Sequence, residues 1–162
     1  MPEAERFDAA VIGAGAGGMT VAVGLAAFGR RVALIEAARV GGDCTNVGCI
    51  PSKRLLHLAR EPGARHDARS ILADVRRTRD GLETRERDEF GAMDGITLIA
   101  GHATIAGPRS VRVRTADGVR RLLTRDIVVA TGGRPRSLDI PGLGDRVLTN
   151  DSLFELEQPP GH

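Results

Sequence analysis

Two cysteines and a lysine carry the first chemical signal in this chain. They stand in the run Gly41-Gly42-Asp43-Cys44-Thr45-Asn46-Val47-Gly48-Cys49-Ile50-Pro51-Ser52-Lys53. A disulphide needs its Cα atoms within about 7 Å, and the residues between Cys44 and Cys49, Gly48 among them, can satisfy that across an unwound helix start. Pro51 is acceptable in a first helical turn. Cys49 then lies at the helix N-terminus, where the dipole favours thiolate, and Lys53 follows one turn on along the same face. The pair reads as redox chemistry. Two other readings stay open on the residues alone: a zinc site completed by His57 and His66, whose spacing departs from the usual pattern, and two buried, inert cysteines. Lys53 is also the single lysine among 23 Lys and Arg. Ammonium and guanidinium are not interchangeable, so it either has a task that Arg cannot perform or is a chance survivor.

The second signal is Gly13-Ala14-Gly15-Ala16-Gly17-Gly18. In the spacing Gly13-x-Gly15-x-x-Gly18, the first glycine allows a tight turn, the second lets backbone approach a pyrophosphate, and the third lets a helix pack on a sheet. The amides and dipole of that helix N-terminus then hold phosphate. Glu36 closes the next apolar run, where a carboxylate can accept from both ribose hydroxyls. The plain alternative is a glycine-rich turn without a ligand. The motif alone does not separate FAD from NAD.

These residues need particular elements beneath them. Phe7–Ile12 reads as a strand, Met19–Phe28 as a small-residue helix ended by Gly29, and Arg31–Glu36 as a second strand. Strand, glycine turn, helix and strand make a βαβ unit and imply a parallel sheet. The pattern predicts a helix from Asn46 to about Arg60, ended by Glu61-Pro62-Gly63, and a second over Ala64–Arg87 with Ile71, Leu72, Val75 and Leu82 on one face. Gly81 counts against the second helix. Arg76, Arg77 and Arg79 read as its solvated face. Ile96–Ala100 is a predicted strand, Val111–Thr115 turns at Asp117-Gly118 into Val119–Thr124, and Ile127–Ala130 is a further buried run. His102 falls between a strand and a turn, and His57 on a helix face. The tail, with Pro141, Pro159 and Pro160, shows no closing element. The fold class is α/β, a Rossmann-type domain with a parallel sheet, a helical pair after the cysteine motif and a small antiparallel meander over 96–124.

Composition narrows the function. The 162 residues are 41% hydrophobic and 27% charged, enough for a globular core. Net charge is +2, and Trp and Tyr are absent, which removes stacking platforms for single-stranded nucleic acid. No apolar run approaches the ~20 residues of a membrane span. The first residues, MPEAERFD, lack the basic and apolar regions of a secretory leader, so a cytoplasmic protein is expected, with neither nucleic acid nor membrane as partner.

The long cysteine run resembles the active-site signature of the pyridine nucleotide–disulphide oxidoreductases, the family of dihydrolipoamide dehydrogenase, glutathione reductase and mercuric reductase. The glycine loop, Glu36, Gly101-His102-Ala103 and Ala130-Thr131-Gly132-Gly133-Arg134-Pro135 fit the same pattern, with Gly133 where the family has Ser. The resemblance implies that the loop from Gly13 through Ala14, Gly15, Ala16 and Gly17 to Gly18 binds FAD pyrophosphate and Glu36 the adenosine ribose. His102 and Ala103 would meet adenine through backbone, and Thr131 and Gly132 would pass close to FAD. Gly42, Asp43, Cys44 and Lys53 are further cofactor positions. By the same resemblance Cys49 is the charge-transfer thiol, Cys44 the interchange thiol exposed to substrate, and Lys53 a neighbour of the flavin N5 edge. Electrons would run from NAD(P)H through FAD and a Cys44–Cys49 disulphide to a thiol/disulphide or mercuric substrate. Residues 1–150 would form the FAD-binding domain and 151–162 the start of a linker to an NAD(P)-binding domain, in a protein that is a homodimer when whole. The alternative is a flavin-binding module without turnover of its own. The stretch Leu148–Phe154 is more similar to mercuric- and glutathione-reductase-like linkers than to lipoyl ones.

Overall fold

Apolar runs on either side of the glycine loop become parallel neighbours. The computed structural model describes residues 4–60, 67–136, 140–142 and 147–160. In it β1 (Glu5–Ile12) lies beside β2 (Val32–Glu36), with Ala9 opposite Val32 and Ile12 opposite Ile35. The first four residues of β2, Val-Ala-Leu-Ile, are all buried, the mark of a strand covered on both faces. Between them runs α1 (Ala16–Ala27), which buries Gly18 and Ala22. Gly29, at φ +71°, lets the chain turn away after it.

The sheet has six strands in the order β3-β2-β1-β6-β5-β4. β3 (Ile96–Ala100) is parallel to β2, and β1 is parallel to β6 (Gly118–Val129). β4 (His102–Gly107), β5 (Ser110–Thr115) and the first half of β6 form an antiparallel meander. This is the expected α/β class, with three differences. Ile96–Ala100 belongs to the parallel half. His102 opens a strand rather than preceding a turn. The two runs expected after Asp117-Gly118 are one strand, because β6 has 12 residues and is long enough to pair with β5 through its start and β1 through its end.

Two compact units divide the chain, Met1–Gly42 with Glu83–Gly132, and Asp43–Leu82 with Gly133–His162. The first holds two apolar clusters. One contains Phe7, Ile35, Ile99, Val111, Val113 and Leu122; the other contains Val11, Ala22, Val32, Leu34, Val40 and Ile96.

The second unit is helical. The helix expected from Asn46 starts at Cys49, as α3 (Cys49–Arg60), and a short helix that the pattern does not predict, α2 (Gly42–Asn46), precedes it. The break falls at Val47-Gly48, where a side chain on Gly48 would come within 2.8 Å of the Asp43 carbonyl. The chain there doubles back too tightly for a continuous helix. α4 (Ala68–Ala92) is longer than the pattern predicts and runs through Gly81 and Gly91. Each glycine costs about 1 kcal/mol of propensity against Ala, too little to interrupt a 25-residue helix with an apolar stripe. Glu61-Pro62-Gly63 lies outside the described residues.

The tail does have a closing element, contrary to expectation. A capping box between Thr149 and Ser152 starts α5 (Asn150–Leu153), and Phe154 then packs with Leu58 and Val75. That docking draws the tail along α4, where guanidiniums receive it. Arg69 donates to the Gln158 Oε1 at 3.1 Å, Arg76 to the Leu156 carbonyl, and Arg79 to both Glu155 oxygens. The arginine face is therefore not solvated throughout. Arg77 is exposed, as expected, but the Arg79 side chain is only 3% exposed and also donates from Nε to Asp80 at 2.9 Å. Among the described residues, no helix is long and apolar enough to cross a membrane.

Candidate functional site

The glycine loop is built so that backbone replaces side chains. A Cβ on Gly13 would stand 2.3 Å from the Ala130 carbonyl oxygen and 3.2 Å from Thr131 Cα. One on Gly18 would stand 1.8 Å from the Gly13 carbonyl oxygen. Gly13 also has φ +105°, a conformation only glycine takes readily. Gly17 differs: nothing lies within 4 Å of where its Cβ would be. α1 begins at Gly15 with no side chain capping its first amides, which leaves those N–H groups and the dipole to a ligand anion.

Glu36 has a second task that the sequence reading missed. Its Oε2 accepts from the Ala14 N–H at 2.7 Å and its Oε1 from the Ala38 N–H at 2.8 Å. The carboxylate thus ties the end of β2 to the loop. Each oxygen keeps a further lone pair, so acceptance from ribose hydroxyls remains open. The Glu36 carbonyl accepts from Gly101 at 2.7 Å, which brings the His102-Ala103 segment to the same strand end. Gly41 donates to the Ala14 carbonyl at 2.8 Å, and a Cβ on Gly42 would stand 2.7 Å from Gly15 Cα. The Gly41-Gly42 step is thus a close backbone contact with the loop. Thr131 and Gly132 follow β6 directly, both exposed, with Gly132 at φ +66°.

In the other unit, Asp43 and Cys44 lie in α2, while Cys49 and Lys53 lie in the first turns of α3. The two thiols are free and hydrogen-bonded to each other. The Cys49 side chain, together with burial and the Cys49 charge, pushes the Cys44 thiol up. The Cys49 backbone N–H and, more weakly, Lys53 pull it back. The helix-terminal amide of Cys49 therefore serves the Cys44 sulphur. Cys49 is exposed, whereas Cys44 is half-buried. The cause is local, since Cys44 sits in the fold-back, with a Gly48 Cβ position only 3.5 Å from its Cα. Lys53 is exposed, and Pro51 between them is buried. Arg54 braces this helix through a 2.6 Å bond from Nε to Asp74 of α4. Among the described residues no group of three His, Cys, Asp or Glu side chains is placed to hold a metal ion; His66 lies outside them.

A signature described as pyridine nucleotide-disulphide oxidoreductase matches residues 7–161. The chain belongs to that family. Across 97% of its length it is 37% identical to the soluble pyridine nucleotide transhydrogenases of Yersinia pestis (strain Pestoides F) and Yersinia pseudotuberculosis serotype O:1b. It spans 37% of the length of those relatives. Among solved structures, the HOCl-induced flavoprotein disulfide reductase RclA of Escherichia coli in complex with Cu(II) superposes with a TM-score of 0.85 at 32% identity, over 98% of this chain and 36% of that one. A Cys-to-Ser variant of the same reductase, also with Cu(II), gives 0.87 at 31% identity over the same shares. Family membership implies FAD, and the loop fits it. Gly13 and Gly18 let the turn and the helix close on neighbouring backbone, and the first amides of α1 carry no side-chain cap.

Proposed function

We propose that this chain is the FAD-binding, dithiol-bearing part of an NAD(P)H-dependent disulphide reductase. The observation that carries the reading is the Cys44–Cys49 contact. Two free thiols in hydrogen-bonding contact need little movement to close a disulphide, and they follow within a few residues of the Gly42 backbone, which packs against Gly15 of the dinucleotide loop. Bound FAD would supply the two-electron relay between a nicotinamide hydride and the sulphur pair.

This chain's residues would do the rest. The amides after Gly15 hold the pyrophosphate, and Glu36 fixes the loop while accepting from the ribose. His102 and Ala103 offer backbone to the adenine, and Thr131 and Gly132 border the cofactor. Gly42 and Asp43 lead from the loop to the pair, and Lys53 adds the one compact cation near it. Reduction adds two electrons and two protons to the Cys44–Cys49 disulphide. The Cys44 thiolate then attacks one sulphur of an acceptor disulphide and expels the other as thiol, and Cys49 resolves the mixed disulphide, releasing a second thiol. A mercuric ion would instead take both electrons, leaving Hg(0), the Cys44–Cys49 disulphide and two protons, whereas copper(II), the ion held by the Escherichia coli reductase, would take one electron each on two ions to give copper(I). We place the working protein in the cytoplasm and as a homodimer.

Reconstitution tests both halves of the reading. The chain should bind one FAD and show a visible absorbance band, and Gly18→Val should abolish it. Stoichiometric dithiothreitol should reduce the Cys44–Cys49 pair in the loaded protein. Cys49→Ser should let Cys44 alkylate at lower pH, because the neighbour that pushes its thiol up is gone. An unchanged pH–rate profile for Cys44 would remove the coupled pair. Steady-state NAD(P)H oxidation should need the rest of the relatives' length, since these 162 residues carry one dinucleotide loop; turnover by this chain alone would overturn that part.

A further inference from the structure

The outward face of the meander has a charge arrangement that the glycine loop and the cysteines do not explain. β4, β5 and β6 place His102, Arg114 and Val119 in one cross-strand row, and Thr104, Arg112 and Arg121 in the next. All six are exposed. His102, Thr104, Arg112, Arg114 and Val119 line a concavity of about 250 Å³, and Arg121 borders it opposite Arg112.

Like charges directly opposite on a sheet repel, with Cβ atoms only about 5 Å apart. Elsewhere on these strands the molecule neutralises such charge. Arg120, on the reverse face, donates to both carboxylate oxygens of Glu5 at 2.8 and 2.7 Å. Among the described residues, Arg112, Arg114 and Arg121 have no carboxylate partner. Two guanidiniums, a hydroxyl and an imidazole thus line one shallow hollow, with Arg121 paired across from Arg112 on the neighbouring strand, and guanidinium forks match phosphate oxygens two at a time.

We propose that this face binds a small polyphosphate-bearing ligand. The spacing favours more than one phosphate. Arg112 and Arg121 stand one strand apart, and Arg114 lies two residues along, about 7 Å away. A chain of two or three linked phosphates offers the three guanidiniums more charge and more acceptor oxygens than a single phosphate does. The volume suits the phosphate part of such a molecule and is smaller than a pocket for a whole drug-sized ligand.

The probe is sodium tripolyphosphate, titrated at low ionic strength into the 162-residue chain. Calorimetry should show a saturable component separate from any binding at the glycine loop, and it should weaken with added salt, since the contacts are ionic. The double variant Arg112→Gln/Arg121→Gln should bind at least about tenfold more weakly, the loss of one good charge-assisted contact. Gly17→Glu, which places a repelling charge in open space at the glycine loop, should leave this binding within about twofold. Arg121→Thr should raise the thermal midpoint without the anion and cancel the rise that the anion gives the parent chain. Binding that survives the double variant, or that disappears in Gly17→Glu, overturns the proposal. So does an acidic peptide that saturates this face while tripolyphosphate does not.

Discussion

The two units of this chain reach order by different means. The sheet unit rests on two apolar clusters and a loop in which backbone packs against backbone. The helical unit has one small cluster, Leu58, Val75 and Phe154, and is held as much by guanidinium bonds as by apolar contact. A site made of backbone tolerates almost any side chain except where a Cβ would intrude. A site made of side chains depends on which residue type stands at each position. The cofactor loop belongs to the first kind and the cysteines to the second.

Five substitutions can break or sharpen that contrast. The largest effect belongs to Gly18→Val. Its Cβ would overlap the Gly13 carbonyl, so the loop must open and α1 must shift from the sheet, at about 3 kcal/mol or more. Denaturant unfolding should show the loss, and hydrogen exchange should place it in β1 and α1.

Phe154→Ala comes next, with a loss of about 3 kcal/mol from an emptied aromatic site. Exchange should quicken in α3 and the first half of α4 while β1 and β2 stay protected. Loss of protection across the sheet as well would mean the contrast between the units does not extend to their stability.

The Arg79 contacts allow a finer test. Glu155→Ala leaves a guanidinium that is 3% exposed with Asp80 as its remaining carboxylate, and should cost about 2 kcal/mol. Arg79→Met removes the charge along with the need to neutralise it, and should cost about 1 kcal/mol or less. Thermal melts that rank the two the other way would show that the ion pair itself stabilises the tail.

Acid gives the smallest effect. The Arg54 hydrogen bond holds the Asp74 carboxyl below its usual value of 3.8. The folded form therefore binds this proton less readily than the unfolded chain does. Its contribution is present above that value and fades as pH falls toward the lower folded one. Asp74→Asn should flatten this part of the acid limb by lowering stability near neutrality while leaving the acid end little changed, as read from urea midpoints against pH.

The sheet unit was largely legible in the sequence because its rules are local. Gly13, Gly15 and Gly18 occur at set spacing, and continuous apolar runs flank them. What escaped notice there was weakly patterned. β4 is an edge strand of His-Ala-Thr-Ile-Ala-Gly with none of its residues fully buried, so no alternation marks it. Thr124-Arg125-Asp126 looks like an interruption, yet β6 continues through it because it pairs with β1 there. In the helical unit the cysteine motif was readable and its surroundings were not. Glu155 is 76 residues from Arg79, and no periodicity along α4 distinguishes a buried arginine from an exposed one. Gly41 and Gly42 carried a signal that could have been used, since adjacent glycines also mark close backbone approach.

Lys53 has a practical consequence. It is the one lysine in the chain and is exposed, one helical turn beyond Cys49. Apart from the chain's own α-amine, an amine-directed reagent has a single target here. A fluorescent ester would place its dye on α3 beside the thiols, able to follow their oxidation as a change in emission. A lysine-specific protease would cut the polypeptide once, leaving the glycine loop and both cysteines on one fragment and the meander on the other.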